Sequence, residues 1–273
     1  MAAPKFSSHT RSISLPSSSH PLLVNAEEYL QRLKSSEAAS SPSHSLACQR
    51  LAALKNLYEC LDDVLQLPLS QQALSNDQEV LDGSLILLDI CGAVRDIYSQ
   101  VNESVQELES SLRRKRNGDL ADEVSSYMIC KKQLNKMISK CYKELKKAEK
   151  NCNLTLVNKD SEKVPLVDVI KEVRETTLTV LESTLSFLSP SKAGSLVSKL
   201  LSKNASSKGH SNIAAMEQIE MELHLLNKNN SNVDVVKGLE PLKSSIQELA
   251  EMLEIVFRLL LKTRVSLLNI LNH

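Results

Sequence analysis

Arg113-Arg114-Lys115-Arg116-Asn117-Gly118-Asp119-Leu120 separates two long apolar-periodic segments. Four bases gather at the end of the first segment, where cations meet the negative end of a helix macrodipole, each worth roughly 0.3–1 kcal/mol when exposed. Gly118 can take the positive φ that a helix C-terminal stop often requires. Asp119 is a strong N-cap type, with Asp122 and Glu123 in the turn behind it. The stretch reads as the elbow of an antiparallel hairpin of two unusually long helices. The base run also has the composition of a nuclear-import or phosphate-binding patch. Compensation of the dipole at a solvated helix end is the simpler account, and the sequence favours it.

Working outward, the first arm spans about 76–116, with Leu81, Leu85, Leu88, Cys91, Val94, Tyr98, Val101, Val105, Leu108 and Leu112 as its apolar stripe. At 1.5 Å per residue it is about 60 Å long. From Leu85 to Ile90 it is apolar on several faces, which predicts deep burial there, and Gly83 and Gly92 mark a close helix crossing. The second arm, about 120–150, turns Leu120, Val124, Tyr127, Cys130, Leu134, Met137, Cys141, Leu145 and Ala148 inward. The hairpin therefore covers about 76–150. On the outer face of the second arm Lys132, Lys136, Lys140, Lys143 and Lys147 recur at steps of four and three. Such a face suits anionic lipid headgroups or an acidic partner; a merely solvated face balanced by acids elsewhere is the plainer reading. No aromatic side chains are interleaved with the lysines, so specific nucleic-acid binding is not expected.

Further out, a short helix is expected over Ala26–Lys34. A second has its stripe at Ala47, Leu51, Leu54, Tyr58, Leu61 and Leu65, capped by Ser45 and ended by Pro68. Beyond a polar loop at 151–163 come a helix over 166–188, a shorter one around Leu196–Leu201 and another around Met216–Leu226. The last helix spans about 241–272, with Leu242, Ile246, Leu249, Leu253, Val256, Leu260, Thr263, Leu267 and Leu271 inward. It is expected to be the packing partner of the hairpin.

Residues 1–24 are Ser-rich, carry three prolines and have no acid, and read as a disordered tail ahead of one all-helical domain, 25–273. Inside the tail, Arg11, Ser14 and Pro16 match a phosphoserine motif of the kind captured by 14-3-3 proteins. An organelle transit peptide has a similar composition.

The sparse Gly, Pro and aromatic content and the absence of Trp fit long Leu-, Ile-, Val- and Ala-packed helices and argue against an all-β fold. Zero net charge removes a global electrostatic case for nucleic acid. The six cysteines lack any Cys-x-x-Cys spacing, so reduced thiols serving as small hydrophobes are expected, as in a cytoplasmic protein. No glycine-rich phosphate loop, nucleophile elbow or His-Glu-x-x-His motif occurs. His9, His20 and His44 are assigned to tail and linker. No catalytic residue, cofactor site or metal set is expected, and an enzyme is not expected.

One resemblance runs along nearly the whole chain. It is carried by Arg11-Ser12-Ile13-Ser14-Leu15-Pro16 with His20-Pro21, Cys48-Gln49-Arg50-Leu51, Leu81-Asp82-Gly83-Ser84-Leu85 with Leu88-Asp89, Leu112-Arg113-Arg114-Lys115-Arg116, Ser244 to Leu253, and Arg264-Val265-Ser266-Leu267-Leu268-Asn269-Ile270-Leu271. In these the chain resembles a plant-specific family of Bypass-related proteins. The resemblance implies a role in root and shoot development, including control of a mobile root-derived signal, and for some members a chloroplast location. It transfers no catalytic residue. Together these readings give an all-α elongated bundle, coiled-coil-like in its periodicity, acting as a non-enzymatic adaptor for an unidentified protein partner. The alternative is a peripheral membrane protein that binds anionic lipids through the lysine face.

Overall fold

The computed structural model describes residues 20–36, 43–75, 77–114, 121–157, 165–189, 214–226 and 232–272. Among them are eight α-helices and no strand: α1 (Pro21–Ser35), α2 (His44–Leu65), α3 (Pro68–Leu74), α4 (Gln78–Arg114), α5 (Ala121–Val157), α6 (Pro165–Leu188), α7 (Ala215–Leu226) and α8 (Asn232–Asn272). The all-α reading holds, and α4 and α5 are the two long arms. The turn at 115–120, with Gly118 and Asp119, lies outside the described residues, as do the helix expected around Leu196–Leu201 and the tail motif at Arg11, Ser14 and Pro16.

Several boundaries move, each for a local reason. α1 begins at Pro21, inside the stretch read as tail. Proline suits a first helical position, and His20 Nδ1 caps the helix by accepting from the Leu22 N–H at 3.3 Å. Ser43, not Ser45, caps α2, its Oγ accepting from the Leu46 N–H at 3.2 Å. His44 thereby becomes the first residue of a helix. α5 continues to Val157, through half of the expected polar loop, and Cys152 is buried against α6, where the Arg174 Nε–H donates to its sulfur at 2.9 Å. α8 starts nine residues before Pro241, which lies inside it and is exposed. An interior proline costs ~3 kcal/mol. Here Val235 and Leu239, both buried, continue the apolar seam upstream and offset it.

The hairpin is not the centre of the bundle. α2, α4, α6 and α8 form a four-helix core in which α4 packs most extensively on α8, and α2 bridges α8 and α6. Contact pairs give the directions. Arg95–Glu254 and Lys243–Glu109 set α4 antiparallel to α8; Arg50–Ser183 and Tyr58–Thr177 set α2 antiparallel to α6. His44–Glu248 and Asp62–Ser266 make α2 and α8 parallel. Tyr58, Leu87, Val173 and Leu260, one from each helix, line a small pocket of about 30 Å³, enough to admit water. α5 lies against α4 and α6, and α1 against α2 and α6.

α6 is enclosed almost all round. Between Leu166 and Ser189 only Asp168 is exposed. Two buried tyrosine hydroxyls are satisfied on it: Tyr98 donates to the Thr184 carbonyl at 2.7 Å, and Tyr58 shares a hydrogen bond with Thr177 at 2.9 Å. Arg50, 6% exposed, donates to Ser183 Oγ and to the Ser36 carbonyl, each at 2.7 Å, and so ties α1, α2 and α6 together.

The first turns of α4 differ from expectation. Leu85 and Ile86 are exposed, whereas Leu87 and Ile90 are buried. The inward positions there are taken by Gly83 and Ser84, small enough to admit two arginines from neighbouring helices. Arg264 of α8 donates to the Leu81 carbonyl at 2.8 Å and to Ser84 Oγ at 3.0 Å. Arg174 of α6 occupies the place of a Gly83 side chain, 2.5 Å from where a Cβ would sit. Gly92, by contrast, faces Phe257 with room for a methyl group, the nearest atom being 3.4 Å away. Gly92→Ala is therefore expected to gain up to about 1 kcal/mol of helix propensity and raise Tm. Gly83→Ala is expected not to gain it, because Arg174 must shift. Thermal unfolding of the two variants side by side checks this.

Candidate binding surface

The lysine face follows from the register of α5. Leu134, Ile138, Cys141, Leu145 and Ala148 are buried, which leaves Lys132, Lys136, Lys140, Lys143 and Lys147 on the other side, all exposed. None of the five takes part in an ion pair among the described residues. Lys131, next to them, does: its ammonium pairs with Glu220 of α7.

Two of these lysines also edge a groove along the α4–α5 seam, with a volume of about 550 Å³. The arms are tied near the elbow by Ser104 and Cys130, 2.9 Å apart. Farther along, α5 is held to α6 as well, through Tyr142, which donates to the Ser189 carbonyl at 2.9 Å, and through Cys152 and Arg174. Ile90, Ile97, Met137 and Cys141 line the groove between them. Asp89 and Asp96 from α4 stand on one rim, and Lys140 and Lys147 from α5 on the other. The groove thus offers an apolar floor between an α4 side bearing Asp89 and Asp96, the latter paired with Arg95 at 2.9 Å, and an α5 side on which Glu144 stands between Lys140 and Lys147. Sequence periodicity found the lysines but not the acidic rim, because Asp89 and Asp96 are a helical turn pair apart on a different helix.

The cysteines are all free. Burial pushes the Cys91 thiol up to about 12, and burial followed by the charge of Glu144 pushes Cys141 up to about 11. Neither is a thiolate at neutral pH, so the groove has no ready nucleophile in Cys141. Asp62 is engaged by Lys262 at 2.9 Å and Ser266 at 3.4 Å, which ties α2 to α8. Glu254 and Arg258 form an i,i+4 pair at 2.7 Å on α8. The described residues that could hold a metal together are His44, Cys48 and Glu248, at the other side of α8. No helix among the described residues is long and apolar enough to cross a membrane.

A family model described as Protein BPS1 matches residues 50–270. The chain belongs to the BPS1 family. That span runs from Arg50 through the whole of α8's buried seam, so the family is defined on the four-helix core and includes both walls of the groove. Arg50, Gly83, Ser84 and Arg264, which carry part of the resemblance in the sequence, are among the residues that hold the BPS1-family core together. No curated protein and no solved structure matches the chain.

Proposed function

We propose that this BPS1-family protein is a non-enzymatic helical adaptor in plant root and shoot development, acting in the cytoplasm and holding a protein partner in the α4–α5 groove. The observation that carries the reading is the groove itself: about 550 Å³ over an apolar floor, with Asp89 and Asp96 along α4 and Lys140, Glu144 and Lys147 along α5. A partner helix with an apolar stripe, a basic flank toward α4 and a mixed-charge flank toward α5 complements such a surface. The tail adds a second contact, in which phosphorylated Ser14, with Arg11 and Pro16, is taken up by a 14-3-3 protein.

The unpaired lysine stripe supports a second reading, attachment to anionic membranes. The acidic rim separates the two. Asp89→Lys with Asp96→Lys is expected to lower recovery of the specific partner from plant tissue at least about tenfold, because like charges then face the partner's basic flank. The same change leaves or raises co-sedimentation with phosphatidylserine liposomes. If the double variant keeps its partners, the groove is not the adaptor site. If liposome binding is strong, scales with anionic lipid and is lost with Lys140→Glu and Lys147→Glu, the membrane reading replaces it. For the tail, a phospho-Ser14 peptide must bind a 14-3-3 protein more tightly than the unmodified peptide.

A further inference from the structure

We propose that His44, Cys48 and Glu248 form a zinc site that joins the first turn of α2 to the middle of α8. Ser43 capping makes His44 the first residue of α2. Cys48 then lies four positions on, one turn above it on the same helix face. Glu248 reaches the pair from the parallel helix α8. His44 Nε2 is 3.0 Å from a Glu248 carboxylate oxygen and 3.3 Å from Cys48 Sγ. All three donor atoms lie within 4.8 Å of one another.

Those separations are close to what zinc needs. With bonds of about 2.0–2.3 Å, neighbouring ligands of a tetrahedral ion stand roughly 3.3–3.8 Å apart. Small side-chain adjustments therefore place all three atoms around one ion. The donor set is one imidazole nitrogen, one sulfur and one carboxylate oxygen. It suits zinc and other borderline ions, not the all-oxygen preference of magnesium or calcium. His44 and Glu248 are partly exposed, at 31% and 55% of their side chains, so an ion can reach them. On binding, the Cys48 S–H proton leaves to solvent and a sulfur–zinc bond forms, while His44 coordinates through neutral Nε2. A fourth position remains for water or an external donor. Phe187, its ring centroid 6.1 Å from that of His44, provides one wall. Within one chain the ion would clamp the start of the core to its last helix.

The test is metal binding by the full chain under reducing conditions. Cobalt(II) is titrated first, then zinc in competition with a chromophoric chelator. One equivalent per chain is expected, with a thiolate-to-cobalt charge-transfer band. Cys48→Ser should abolish the band, whereas Cys60→Ser, at a half-buried thiol outside the cluster, should leave it. His44→Asn and Glu248→Gln should each weaken zinc at least about tenfold. No band in the wild-type chain, a band that survives Cys48→Ser, or unchanged zinc affinity in Glu248→Gln each overturns the site. Circular dichroism of the metal-free variants monitors folding. Glu248 is more than half exposed, so Glu248→Gln decides the matter if Cys48→Ser does not fold.

Discussion

A chain ending at Glu240 is expected to have no cooperative fold. The deleted part of α8 carries eight buried apolar side chains: Leu242, Ile246, Leu249, Leu253, Val256, Leu260, Leu267 and Ile270. Burying each is worth about 1.5–3 kcal/mol before entropy, and a whole domain is stable by only ~5–15 kcal/mol. Loss of the helix also strips α4 of its most extensive neighbour and α2 of one of its two core partners. The remaining α2, α4 and α6 lose the helix that packs on both α4 and α2. Thermal melts followed by far-UV circular dichroism should lose their sigmoidal transition, and limited proteolysis should cut within α4. A graded version is Leu253→Ala at a fully buried position, expected to cost about 2–5 kcal/mol in denaturant unfolding. A truncated chain that still melts cooperatively would contradict the four-helix core.

Lys243→Met is expected to destabilise the protein by ~3 kcal/mol, the low end of what breaking a buried ion pair costs. Glu109 on α4 is only 4% exposed. Its carboxylate is bonded by Lys243 at 2.7 Å and by Arg113 one turn on. Burial works against the charged form, but Lys243 and then Arg113 outweigh it and hold the carboxyl below its ordinary value of 4.5. Without Lys243 the charge is left with one partner that is itself more than half exposed. At roughly 2–4 °C per kcal/mol for a domain of this size, Tm should fall by about 6–12 °C. Glu109→Gln should cost less, because no buried charge is stranded, and Arg113→Ala should cost ~0–1 kcal/mol as an exposed pair does. Because the folded pKa is depressed, the stabilisation is present above the unfolded value and is lost as pH falls through the folded one. The stability gap between wild type and Glu109→Gln should therefore narrow on acidification below about pH 4. A gap that widens there would contradict the assignment.

Much of the fold was legible as periodicity. In α8 the positions 235, 239, 242, 246, 249, 253, 256, 260, 263, 267 and 270 alternate four and three without a fault, and each is buried. Pro241 reads locally as a helix start, whereas the buried Val235 and Leu239 carry the same seam through it. Ile270, not Leu271, ends that seam for the same reason of phase. In α4 the apolar run misled in the other direction. Leu85 is exposed although Leu is apolar, since Gly83 and Ser84 make way for Arg174 and Arg264, and nothing local to 81–90 announces side chains arriving from 90 or more residues downstream. The candidate surface was half readable. Lysines on one helix share a period, whereas the acidic rim is brought opposite them only by packing. The His44 cluster was hidden by a cap placed two residues late, which left His44 in a linker and out of phase with Cys48.

The closing contacts of the core span the chain: Glu109 meets Lys243, and His44 meets Glu248. Helical proteins usually fold fast because their contacts are local in sequence. This one makes many of its long-range contacts through α8, far downstream of α2 and α4. During synthesis at about 5–20 residues per second, roughly 8–30 seconds pass between completion of α4 at Arg114 and completion of α8 at Asn272. Throughout that interval the apolar stripe of α4 has no α8 to cover it. Cellular yield is therefore expected to depend on chaperones that shield apolar helices more than the stability of the finished bundle would suggest, and expression with and without such chaperones checks it.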